Sequence, residues 1–136
     1  MIDPHALFAA RQDGEIRYSV LSDASGDLSR VLGRFGLWPE ASALVEHDRD
    51  AALAILVELL WKDMAYGVEC MPRSRAQAWA EEIFTTHAAT GCRFYSNTHR
   101  PERESWHPLT PSTFDAGVII AGPDGTYFCL WVQDED

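Results

Sequence analysis

The 136-residue chain carries 11 basic and 21 acidic side chains, a formal net charge of −10, and is 46% hydrophobic. That apolar fraction excludes general disorder, and a chain of this size is expected to bury roughly two-thirds of its unfolded surface in one core. The negative balance disfavours nucleic acid and anionic membrane as direct partners, since both repel it, and favours a basic partner.

In chain order, Asp3 and Pro4 form a helix-start pair, and Gly14 offers a stop, so a short helix is expected through Phe8 and Arg11. Residues 15–21 alternate Ile16, Tyr18 and Val20 and read as a strand. Residues 27–35 read as a short helix with Leu28, Val31, Leu32 and Phe35 on one face and Gly36 at its end. Pro39 opens a further helical turn expected to include Leu44 and Val45.

The clearest helix follows. Asp48 caps it, residues 51–64 fill it and Gly67 ends it, with Leu53, Leu56, Val57, Leu60, Trp61 and Met64 on one broad face. Glu58 and Lys62 stand in the favourable i, i+4 order for an ion pair. Ser74 with Gln77 reads as a capping box for a helix running to about Ala88, before Gly91. Ala76, Trp79, Ala80, Ile83, Phe84 and His87 share its apolar side, and Glu81, Glu82, Thr85 and Thr86 face solvent. Residues 92–95 read as a short strand, and residues 96–113 as a long connection with Pro101, Pro108 and Pro111; connections of that length are commonly functional or disordered.

Residues 116–132 form a β-hairpin around Pro123, Asp124 and Gly125, which supply the turn. Val118 and Ile120 oppose Ile119 and Ala121; Tyr127, Cys129 and Trp131 oppose Phe128, Leu130 and Val132. A hairpin apolar on both faces belongs inside a sheet covered on both sides, or under a helix. The expected architecture is therefore α+β, residues 1–136 as a single domain, with central buried helices packed on a small antiparallel sheet that ends in the C-terminal β-hairpin.

No pattern in the chain identifies a reaction. His5, His47, His87, His99 and His107 show no metal-ligand spacing, and no GxSxG or phosphate-binding glycine pattern occurs. Cys92 and His87 are expected on opposite sides of Gly91, which argues against a thiol and base acting together. Cys70, Cys92 and Cys129 form no close pair and read as reduced thiols, with Cys129 in the core. Met1-Ile2-Asp3-Pro4 lacks a basic lead into an apolar run, and the longest apolar stretch, residues 51–60, is too short to span a bilayer. The chain is expected to be cytoplasmic and non-enzymatic, with no cofactor and no metal.

What remains is surface suited to protein recognition. Residues 97–107 present Arg100, Glu102, Arg103, Glu104 and Trp106, and aromatic and Arg side chains are the types that anchor interfaces. Asp134, Glu135 and Asp136 follow the last strand, where they are expected to form a fixed, exposed negative patch. Glu102, Glu104, Trp106, Asp134, Glu135 and Asp136 are thus the expected partner-binding residues.

The segment Phe114-Asp115-Ala116-Gly117-Val118-Ile119-Ile120, followed by Leu130-Trp131-Val132 and Asp134-Glu135-Asp136, resembles C-terminal hairpins of bacterial immunity proteins. These are the cognate inhibitors of polymorphic toxins delivered by contact-dependent or type VI systems. The resemblance covers the last sixth of the chain and implies a tight protein inhibitor of one toxin, often basic, acting by blocking its active site or substrate surface. A metal-binding or hydrolytic enzyme using His99, His107 and Glu102 or Glu104 is one alternative. A regulatory protein-interaction module is another.

Overall fold

Strands β4 (Phe114–Ala121) and β5 (Thr126–Asp134) form the C-terminal hairpin, closed by a turn in which Gly125 adopts φ +86°. A computed structural model describes residues 2–12, 14–99 and 107–135. The hairpin lies at the centre of a five-stranded, fully antiparallel sheet in the order β1-β5-β4-β3-β2. The remaining strands are β1 (Glu15–Ser22), β2 (Val45–His47) and β3 (Arg93–Ser96).

Both faces of the sheet are covered, as the two-sided apolar pattern requires. On one face Val118, Ile120, Phe128, Leu130 and Val132 pack against helices α1 (Pro4–Arg11), α3 (Arg49–Trp61) and α4 (Arg73–His87) through Leu7, Ile55, Leu59, Ile83 and Phe84. On the other, Ile119, Tyr127, Cys129 and Trp131 pack against Val31 and Leu32 of α2 (Leu28–Arg34), with Leu37, Ala43 and Leu109. Trp131 is fully buried. Gly117 pairs with it across the hairpin, and a Cβ there would collide with its indole and with the Leu130 carbonyl.

Local signals hold for most elements. Asp3, Asp27 and Asp48 each cap their helix by accepting from backbone N–H groups of its first turn. Three expectations are corrected. Val45 was expected in a helical turn, but only Ala41–Ala43 form one; Val45 pairs with Ser96 and His47 with Phe94, so tertiary pairing overrides a weak local signal. Helix α3 stops at Trp61 because Lys62 is extended and bridges Glu69. Lys62 thereby leaves Glu58, and its ammonium sits 4.0 Å from the Trp61 ring centroid. Helix α4 starts one residue after Pro72, so Ser74 lies inside it and makes no cap; Gln77 donates to Glu81 instead.

The largest departure is at Asp134. It is buried, not part of an exposed patch, because Arg11 reaches it from α1. Arg11, itself fully buried, donates from Nη1 and Nη2 to the two carboxylate oxygens, each at 2.9 Å. Its Nε donates to the Leu59 carbonyl at 2.8 Å, and the Met64 N–H donates to Asp134 at 2.9 Å. One fork thus ties α1, the carbonyl end of α3 and the end of β5, satisfying a helix-terminal acceptor on the way.

Breaking a buried pair leaves an uncompensated charge. Arg11→Met or Asp134→Leu alone should lower the unfolding free energy by about 3–5 kcal/mol, whereas the double variant should recover a large part of that loss. Urea denaturation of the three variants checks this; a double variant destabilised by the sum of the two single losses would show that the two side chains act independently.

Candidate partner-binding surface

Of the residues expected to meet a partner, Glu102, Glu104, Trp106 and Asp136 lie outside the described residues, and Asp134 is buried as above. Glu135 is exposed. Its carboxylate accepts from the N–H and hydroxyl of Thr113, and the hydroxyl bond, the larger cause, holds its carboxyl below the usual range. His99 and His107 are also exposed, and His107 Nε2 stands 3.5 Å from the Glu40 carboxylate. Among the described residues no group of three or more His, Cys, Asp or Glu could hold a metal ion.

The two described arms of the long connection are firmly held. The His107 N–H donates to the Asn97 carbonyl at 3.0 Å, and Asn97 Nδ2 returns a bond to the His107 carbonyl at 2.9 Å. Behind them Asp115, fully buried on β4, accepts from the N–H groups of Leu109 and Thr110, the Thr110 hydroxyl, Asn97 Nδ2 and, at 3.4 Å, Trp131 Nε1. A buried carboxylate with this many donors is a structural hub. Sequence reading passed over it, although a lone acid in an otherwise apolar strand was the available signal.

Charge is sorted over the molecule. Arg30 and Arg34 both bond Asp23, whose carboxyl is held well below its usual range by the side-chain and backbone bonds of Ser25 first, then by these arginines. Arg93 pairs with Glu46 and lowers it in the same way. By contrast, the outer surface of the α3–α4 pair has acids without cationic partners among the described residues. A groove of about 420 Å³ there is floored by Leu53, Ala54 and Val57 and edged by Asp50, Glu58, Arg73 and Gln77. Asp50, Leu53, Ala54, Val57 and Glu58 recur at helical spacing, which is why one stripe of α3 brings two acids and an aliphatic floor together. Neither acid has an ion-pair partner among the described residues. The Arg73 guanidinium is drawn to 5.3 Å from the Trp61 ring centroid. Exposed Glu81, fixed by the Gln77 amide at 2.9 Å, adds a further negative charge alongside.

A second hollow, about 320 Å³, opens beside the turn of the central hairpin and is lined by Val20, His87, Cys92, Ile120, Pro123 and Phe128, among others. His87 and Cys92 therefore share a wall, contrary to the expectation that Gly91 separates them. The Cys92 sulfur faces the His87 carbonyl at 4.0 Å, while the imidazole stacks on Phe128 with centroids 4.2 Å apart. His87 Nε2 is 2.6 Å from the Tyr18 hydroxyl, the ring being held by a phenol and not by the thiol. Burial lowers the His87 pKa and, with a smaller contribution from Glu82, raises that of Tyr18.

No protein-family model, curated protein or solved structure matches the chain. Among the described residues, no helix is long and apolar enough to cross a membrane.

Because His87 is protonated less readily folded than unfolded, the unfolded chain binds more protons as pH falls below about 6.5. Stability tied to this group should be complete above that pH and decline from about pH 6.5 downwards. The depressed carboxyls of Asp23, Glu46 and Glu135 lose their contribution only below about pH 4.5. Urea midpoints at pH 7 and pH 5 should therefore differ in the native chain and converge in His87→Gln; an equal difference in both would assign the pH dependence elsewhere.

Proposed function

We propose that the chain is a non-enzymatic acidic binding protein that acts in the cytoplasm and inhibits a cognate, basic bacterial toxin by covering its active site or substrate surface. The observation that supports this reading is the α3–α4 groove: carboxylates of Asp50 and Glu58, without an ion-pair partner among the described residues, above an aliphatic floor of Leu53, Ala54 and Val57. A Lys or Arg side chain of the partner has the matching anatomy. Its stem lies on the apolar floor and its head group reaches the acids.

The net charge of −10 adds a longer-range attraction to a basic surface, which accelerates encounter and orients it. Glu135 extends the same sign at the end of β5. The resemblance of the C-terminal hairpin to those of immunity proteins agrees with this role. So does the way His87 is held, with its ring nitrogen on Tyr18 and away from the neighbouring thiol.

The test is co-purification with the product of a neighbouring gene, together with protection of cells that express that product. The double variant Asp50→Lys/Glu58→Lys, both sites being on the helix surface, should keep its fold. It should associate with the partner at least about 10-fold more slowly and with a flatter dependence on ionic strength. Absence of any partner and of protection would overturn the proposal. Normal association by the double variant would move the contact surface away from the groove.

A further inference from the structure

The two edges of the sheet are built differently. At the hairpin turn, the Gly125 carbonyl accepts from the Asp23 N–H at 2.9 Å, and the Gly122 N–H donates to the Thr126 carbonyl at the start of β5 at 2.8 Å. Ladder alternation then fixes which residues aim their backbone groups outward. Arg17, Ser19 and Leu21 bond β5, while Ile16, Tyr18, Val20 and Ser22 point away from the sheet. Of these groups, the Ser22 carbonyl alone is taken among the described residues, by Arg34 Nη1. At the other edge the same alternation turns Val45 and His47 inward and leaves Glu46 alone facing out, its charged side chain held by Arg93. A three-residue edge with a fixed charge resists pairing. The eight-residue β1 edge is regular, has no proline or Lys, and leaves the N–H and C=O groups of Ile16, Tyr18 and Val20 without a backbone partner among the described residues.

We propose that β1 is a pairing edge for a second copy of this chain, joined antiparallel about a two-fold axis at Tyr18. Self-complementarity of the edge selects a second copy as its occupant. In the register centred on Tyr18, the outward groups of Ile16, Tyr18 and Val20 meet Val20, Tyr18 and Ile16 of the other copy, forming about six backbone hydrogen bonds. The apolar row meets itself on one side of the sheet. On the other, Glu15 faces Leu21 and Arg17 faces Ser19, so no like charges stand directly opposed. A register one residue pair earlier would set Arg17 against Arg17. Val20 is 52% exposed in the single chain, and this pairing covers it with Ile16.

The opposing term is repulsion between two chains of net charge −10. Pairing should therefore tighten as salt rises from about 0.05 to 0.5 M, the opposite sign to charge-driven capture of a basic partner. This separates the failure of this inference from the failure of the inhibitor reading.

The test uses the whole chain. Sedimentation from about 5 to about 500 µM in 0.5 M NaCl should show a mass moving from 15.2 kDa towards twice that value. Over the same range, amide exchange followed by NMR should slow at least about 10-fold at Ile16, Tyr18 and Val20, with Arg17, Ser19 and Leu21 already protected at the lowest concentration. Val20→Pro removes an outward N–H that the ladder does not use, and should abolish the mass shift with the circular dichroism spectrum unchanged. Should that variant not fold, Val20→Asp at the same exposed position serves instead. A mass fixed at 15.2 kDa throughout would overturn the proposal, as would a dimer whose outward amides stay unprotected or one that both variants leave intact.

Discussion

A hairpin whose side chains are apolar above and below the strands cannot leave either face to water, and the rest of the molecule is arranged around that demand. Val118, Ile120, Phe128, Leu130 and Val132 call for a layer on one side; Ile119, Cys129 and Trp131 call for another. Helices α1, α3 and α4 supply the first layer. The second, made of α2, the 41–43 turn and the arm carrying Leu109, is thinner and less regular. Asp115 compensates for that irregularity by holding the arm with buried hydrogen bonds where there is no helix to pack.

Sequence pattern was most informative where one local rule decided the outcome. The aspartate-capped helices, the alternating first strand and the glycine-closed hairpin follow from capping, periodicity and turn chemistry. It was least informative where distant partners decide. Val45 becomes a strand because Ser96 lies beside it, and Asp134 turns inward because Arg11 is there to receive it. Nothing in a run of Asp, Glu and Asp shows which acid has a buried arginine waiting more than a hundred positions upstream. The acidic groove was missed for a related reason. Glu58 appears paired with Lys62 along an ideal helix, yet the helix ends at Trp61 and frees the carboxylate.

The same sorting bears on function. Carboxylates that serve the fold are buried or neutralised, as at Asp23, Asp115 and Asp134, whereas those of the α3–α4 surface remain open to water beside an apolar floor. In the proposed role, a surface that combines charge unpaired among the described residues with aliphatic contact would offer selectivity as well as attraction, because a partner would have to match both. The rigid pairing of Asn97 with His107 fixes the base of the connection that sequence reading singled out, independently of the groove.

Among the described residues strand β1 has its only ladder with β5, Glu15 matching Gln133 and Ser22 matching Thr126. The paired residues stand more than a hundred positions apart, so during synthesis the strand finds its neighbour only after the residues between have been made. Until then its apolar row has no sheet to join, and closure of that ladder is the kind of long-range step that slows folding. Helices α3 and α4, neighbours in sequence, are free to form first and to shelter the nascent strand until β5 has been made.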